Sequence, residues 1–159
     1  MSKRPGFAIP RPLTRIDDAG VYALCVRLQH PVWAKIGALG WHRFEAGLYI
    51  YFGTAQRGLS ARLARHFSKA KRLRWHIDYL TVHASCVGAL LWRAPREREC
   101  DGAQAAAKVW PCPVARFGSS DCGCAAHLFG PAPEDWALRL ERVLGPPEAM
   151  IMCHGLGSQ

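Results

Sequence analysis

The 159 residues, 50% apolar and 21% charged, suit one globular domain with a core of its own. Twenty-one Lys and Arg against twelve Asp and Glu leave a formal net charge of +9, which favours a polyanionic partner, nucleic acid before an anionic membrane surface. No apolar run approaches the roughly 20 residues needed to span a bilayer, and residues 1–12 hold no hydrophobic stretch that would make a secretion signal; seven cysteines, an odd count, argue against a disulfide framework and for a reducing, cytoplasmic setting.

Residues 1–18, with three prolines and mixed charge, read as a loose lead-in. Residues 20–28 form a β-rich run that is apolar on both faces, as in an interior strand. A shorter extended piece over 32–36 follows the break at His30-Pro31, and 37–40 reads as a turn. Residues 47–52 make a third strand, where alternation sets Leu48, Ile50 and Phe52 on one face and Tyr49 and Tyr51 on the other. A loop over 53–58 leads into a helix whose Leu59, Leu63 and Phe67 recur every four residues as a buried stripe. Arg62, Arg65, His66 and Lys69 share a neighbouring face. Between residues 46 and 77 there are seven Lys or Arg and no acid.

Residues 75–80 predict a turn or a short second helix, and the apolar 84–92 a core strand. An alanine-rich helix over 96–110 is weakened at Gly102 by about 1 kcal/mol relative to Ala and stopped by Pro111 and Pro113. A Gly/Ser/Cys-rich loop follows over 117–124, then a helix over 134–144 and a patternless tail from Gly145. The expected organisation is a lead-in (1–18), one principal domain (19–129), and a C-terminal helix with a mobile tail (130–159).

Gly20-Val21-Tyr22 and Tyr51-Phe52-Gly53 on strands, Arg62 and His66 on the basic helix and Glu99 on the alanine-rich helix, in that order, resemble the GIY-YIG nuclease superfamily. Tyr49-Ile50-Tyr51-Phe52-Gly53-Thr54-Ala55, Arg62-Leu63-Ala64-Arg65-His66, Trp75-His76-Ile77-Asp78-Tyr79-Leu80 and Phe117-Gly118-Ser119-Ser120-Asp121-Cys122 narrow the likeness. They resemble a branch catalogued as domain of unknown function 123, sometimes attached to DNA-repair proteins. Pattern and resemblance together predict an α/β (α+β) domain: a central, mainly antiparallel sheet of three or more strands, flanked by helices.

The resemblance implies a divalent-metal-dependent endonuclease that hydrolyses phosphodiester bonds in DNA or RNA. Tyr22 and Tyr51 would stand beside a water nucleophile, Arg62 against the scissile phosphate, and His66 one helical turn further on. Glu99, with Glu97 as its competitor two residues away, would hold Mg²⁺ or Mn²⁺. Those residue types suit the chemistry, since a guanidinium offers forked, permanently charged donors to phosphate. A single carboxylate suffices for Mg²⁺ when water and phosphate fill the other positions. The late asparagine of several relatives has no counterpart; Ser119, Ser120 and Asp121 are the available substitutes.

Arg57, Arg65, Lys69, Lys71, Arg72 and Arg74 are the expected nucleic-acid contacts, and the alternative to catalysis is a module that binds through them without cutting. Trp33 and Trp75 could stack on bases. Cys122, Cys124 and His127 could supply three ligands to a structural Zn²⁺, with Cys112, His76 or Asp78 as candidates for the fourth.

Overall fold

A strand apolar on both faces can only sit inside a sheet, and β1 (Gly20–Leu28) is the central strand of five. In the computed structural model, which describes residues 18–153, the order is β6-β4-β1-β5-β7 and every pairing is antiparallel. β4 (Gly47–Ala55) and β5 (Ser85–Trp92) flank β1. β6 (Leu128–Ala132) and β7 (Ala149–Met152) form the edges. β2 (Val32–Lys35) and β3 (Trp41–Phe44) make a separate hairpin around a 3₁₀ turn at Gly37–Leu39. The helices are α1 (Leu59–Phe67), α2 (His76–Thr81), α3 (Arg98–Ala107) and α4 (Trp136–Leu144). α1 and α3 pack on β4, and α3 also reaches β1, β6 and α4. This is the mixed fold with an antiparallel central sheet that the patterns predicted.

The α1 stripe behaves as its period requires: Leu59 and Leu63 are buried and Phe67 packs against the core. Gly102 is more than a weak point in α3, because a Cβ there would lie 2.6 Å from the Phe52 ring. Its missing side chain lets α3 close onto β4.

Three strands escaped the sequence patterns. β3 is only four residues long, with Phe44 alone buried. β6 contains Gly130-Pro131, residues that ordinarily signal a turn, yet it pairs along the β4 edge. The boundary expected at 129/130 therefore runs through a strand. The tail expected to be mobile supplies β7, where Ile151 is buried and a disulfide between Cys153 and Cys86 ties the strand end to β5. One bridge is not a disulfide framework; Cys25, Cys100, Cys112, Cys122 and Cys124 are free. The expected lead-in, apart from Asp18, and residues 154–159 of the expected tail lie outside the described residues. Among the described residues no helix is long and apolar enough to cross a membrane.

Candidate active site

The two tyrosine motifs meet across the β1–β4 ladder. Tyr22 lies directly opposite Gly53, and Leu24 opposite Tyr51, so Tyr22 and Tyr51 are diagonal neighbours on one face. Their ring centroids are 6.5 Å apart. Gly53 is an obligatory partner: a Cβ there would come 2.3 Å from the Tyr22 hydroxyl oxygen. The glycine of the second motif makes room for the tyrosine of the first.

α1 brings the basic groups to this face. Its start is held from a distance, because Asp18 Oδ1 accepts both the backbone N–H and the hydroxyl of Ser60 at 2.7 Å. Nothing local signals that role, since the two residues are far apart in sequence. His66, two turns into the helix, is 2% exposed and places Nε2 2.6 Å from the Tyr22 hydroxyl. Burial, and next the Lys71 charge, pull the His66 pKa down to about 3, so the ring is neutral at ordinary pH. Burial pushes the Tyr22 phenol up against the opposing pull of Arg62, and pushes Tyr51 up as well. Arg62 is steadied by a hydrogen bond to the Thr54 carbonyl at 3.1 Å and by the Trp75 ring, 4.4 Å below its guanidinium carbon. Trp75 also lies under Arg65 at 4.7 Å, so its face is engaged in holding arginines, a use other than the expected base stacking.

Tyr22, Tyr51, Arg62, His66 and Glu99 all line one cavity of about 660 Å³. Glu99 faces it from α3, whereas Glu97 is exposed at the helix N-cap and is not on the cavity wall. Ser120 and Asp121 also line the cavity, and Ser119 is buried. His76, expected in the sequence only as a candidate zinc ligand, faces the cavity; its Nδ1 accepts the Gly118 N–H at 2.8 Å and pins that segment to α2.

The expected nucleic-acid contacts divide. Arg57 and Arg74 line the cavity beside Arg62, and Arg72 is exposed beyond it. Arg65, Lys69 and Lys71 instead make hydrogen bonds or ion pairs within the protein, although Lys69 is exposed. Arg65 binds Asp78 at 2.5 Å and the Arg72 carbonyl at 2.9 Å. Lys69 donates to the Thr81 and Ala84 carbonyls. Lys71 donates to Thr81 Oγ1 and the His66 carbonyl at 2.6 and 2.9 Å, and its ammonium is 3.8 Å from Asp78. Asp78 is fully buried and also accepts the N–H groups of Arg74 and Trp75. Sequence reasoning missed Arg96, which lines the cavity and pairs with Asp121 at 2.7 Å.

The thiol loop has found its fourth member. Cys100 of α3 joins Cys122, Cys124 and His127, and one ligand atom from each lies within 4.8 Å of all the others, so the group could hold a metal ion. The anticipated alternatives are committed elsewhere: Cys112 faces the Val114 carbonyl, His76 holds Gly118, and Asp78 holds Arg65. His127 is 1% exposed and its Nδ1 lies 2.6 Å from Glu99 Oε1, at ion-pair distance and without an aligned hydrogen bond. Burial works against charging this imidazole, but Glu99 and Cys122 together outweigh it and raise the pKa.

Residues 21–144 match the family described as Domain of unknown function DUF123. No curated protein and no solved structure matches the chain.

Proposed function

Taking as premise that this chain belongs to the family described as Domain of unknown function DUF123, we propose that it is a GIY-YIG-type nuclease that hydrolyses phosphodiester bonds in DNA or RNA. One observation carries the reading: Tyr22, Tyr51, Arg62, His66 and Glu99, scattered over four elements, converge on a single cavity. Three further cationic side chains, Arg57, Arg74 and Arg96, line it.

Hydrolysis needs a deprotonated water and charge stabilisation on the non-bridging oxygens. Tyr22 alone is a poor base, because burial holds it in the phenol form. Its contact with His66 Nε2 offers a two-step relay: Tyr22 takes a proton from water as its own passes to His66. The water oxygen then bonds to phosphorus and the ester P–O bond breaks, with its electron pair leaving on the alkoxide. Burial and the Lys71 and Arg62 charges disfavour the imidazolium in the free protein, and an anionic phosphate in the cavity would oppose both effects. Arg62, pre-oriented by Thr54 and Trp75, presents its guanidinium to the phosphate oxygens.

A hard cation fits the donor set in a limited way. Glu99 commits Oε1 to His127, and Asp121 is engaged by Arg96, so a metal would be held by the remaining Glu99 oxygen with water and phosphate completing its shell. Mg²⁺ or Mn²⁺ so held would supply Lewis-acid chemistry to phosphate ester cleavage.

The β2–β3 hairpin offers the nucleic acid a second contact. Trp33 pairs with Arg43 and Lys35 with Trp41, so two tryptophans, 63% and 64% exposed, share one face with two cations. Such a face suits unpaired bases through stacking and their phosphates through charge, although Arg43 also pairs with Glu45.

The deciding experiment is a cleavage screen on single- and double-stranded DNA and RNA, with and without Mg²⁺ or Mn²⁺. Metal-dependent turnover that falls sharply in Tyr22→Phe and in Arg62→Ala is expected. Salt-sensitive binding with no turnover on any substrate overturns catalysis in favour of a binding module on the same scaffold.

A further inference from the structure

Next to Glu99, through its contact with His127, lies a group that hydrolysis does not use. We propose that Cys100, Cys122, Cys124 and His127 bind one zinc ion, and that Glu99 orients the histidine from the far side of its ring.

The spacing of the ligand atoms suits a closed four-ligand centre. Zinc bound to thiolate at about 2.3 Å and to imidazole at about 2.0 Å sets its ligand atoms roughly 3.5–3.8 Å apart. His127 Nε2 is 3.4 Å from Cys122 Sγ and 4.0 Å from Cys100 Sγ, and no pair of ligand atoms in the group exceeds 4.8 Å. Small side-chain rotations would close the remaining gap. Three sulfurs and one imidazole make a soft donor set that selects zinc over magnesium or calcium.

The second observation is independent of the thiols. His127 turns Nε2 toward the sulfurs and Nδ1 toward Glu99 Oε1 at 2.6 Å. A carboxylate behind a ligating histidine fixes the ring and its tautomer, and such partners are typical of zinc-bound histidines. The protein has also arranged the ligands from well-separated parts of the chain: Cys100 comes from α3, while Cys122, Cys124 and His127 come from the stretch leading into β6. A single ion would lock α3 to the loop that forms the Ser120–Asp121 rim of the cavity.

The centre therefore acts on the cavity as a positioning device. Glu99 is both a wall of the cavity and the support of His127, so zinc would fix where the carboxylate stands. That last consequence rests on the nuclease reading; zinc binding itself does not.

Metal analysis of the purified full chain, prepared under reducing conditions with zinc present, tests the proposal. About one zinc per chain is expected, retained in Cys112→Ser and lost in Cys100→Ser and Cys122→Ser. Because a ligand variant can fail to fold, the unmodified protein is also loaded with Co²⁺. Thiolate-to-cobalt charge-transfer bands and intense tetrahedral d–d bands are expected, and Glu99→Gln should keep those bands while weakening metal affinity 10–100-fold. Absence of zinc together with absence of tetrahedral cobalt bands overturns the site. Full zinc content in a folded Cys100→Ser overturns the fourth ligand, and unchanged affinity in Glu99→Gln overturns the supporting carboxylate. None of these readouts depends on cleavage, so a chain that binds zinc and cuts nothing would refute the nuclease and leave this centre standing.

Discussion

The acid-free stretch from residue 46 to residue 77 holds two populations of cations that look alike in sequence and do opposite things in the fold. Arg57, Arg62 and Arg74 face the cavity. Arg65, Lys69 and Lys71 turn inward, onto Asp78 or onto backbone carbonyls of residues 65–84. The organiser of the inward set is a single carboxylate one residue past the stretch, fully buried and approached by an arginine, a lysine and two backbone N–H groups. Net charge counts cations; it does not say how many are left for a partner. Here roughly half of the local excess is spent on holding α1 against α2.

The most damaging way to break that comparison is at the organiser. Asp78→Ala leaves Arg65 and Lys71 facing a buried space without their counter-charge. Loss of one partner in such a buried ionic group costs about 3–5 kcal/mol of stability. Urea unfolding should show it as a large drop in midpoint, and a midpoint within error of the parent would refute the inward role. Arg62→Ala should separate the two populations in the other direction. Removing one preorganised donor to developing charge costs about 10²–10³-fold in turnover. The unfolding midpoint should move far less than in Asp78→Ala, since a half-buried guanidinium without a carboxylate partner leaves no charge stranded. Equal stability losses in the two variants would dissolve the distinction.

Much of this was legible in the sequence, for identifiable reasons. The period-four stripe of Leu59 and Leu63 fixed which side of α1 is buried, and that alone turned Arg62 and His66 toward the neighbouring strands. The two tyrosine motifs were readable because alternation along a strand is rigid: residues opposite or diagonal in the ladder must share a face. What stayed hidden depends on contacts between distant parts of the chain. Cys100 sits in an alanine-rich helix and shows no spacing relation to Cys122-x-Cys124, so only the docking of α3 reveals it as a member of the cluster. Asp78 read as one acid in a short helix and as a candidate zinc ligand, and its burial is what makes it the partner of Arg65 and Lys71. β6 was masked by Gly130-Pro131, whose local preference for a turn is overridden by pairing with β4.

A smaller effect separates the two halves through pH. Folding lowers the His66 pKa to about 3 from an unfolded value near 6.5. In that window the unfolded chain takes up a proton that the folded chain refuses, so stability is full above about pH 6.5 and declines as the pH falls. Between pH 6.5 and 5.5 the decline from this one group is about 1 kcal/mol. His66→Gln should remove it, and the difference between parent and variant midpoints across that interval isolates His66 from the other histidines. A parallel pH response in the two proteins would mean that His66 takes up its proton in the folded state as readily as in the unfolded chain, and that burial does not hold its imidazole neutral through this interval.

The finest comparison sets Arg74 against Lys69, two cations in the same stretch that differ in where their charge ends up. Arg74 lines the cavity, whereas the Lys69 ammonium is held by the Thr81 and Ala84 carbonyls although much of its stem is exposed. Each phosphate neutralised contributes about 0.9 to the slope of log affinity against log salt on duplex DNA. Arg74→Ala should therefore flatten that slope by up to about 0.9, measured on a short duplex over a range of salt with a cleavage-impaired Tyr22→Phe background. Lys69→Ala should leave the slope where it was, because an ammonium held by two backbone carbonyls is not placed to neutralise a phosphate and release the counterion condensed on it. If both substitutions flatten the slope equally, the inward and outward sets are one electrostatic surface, and the division drawn from their hydrogen bonds has no consequence for binding.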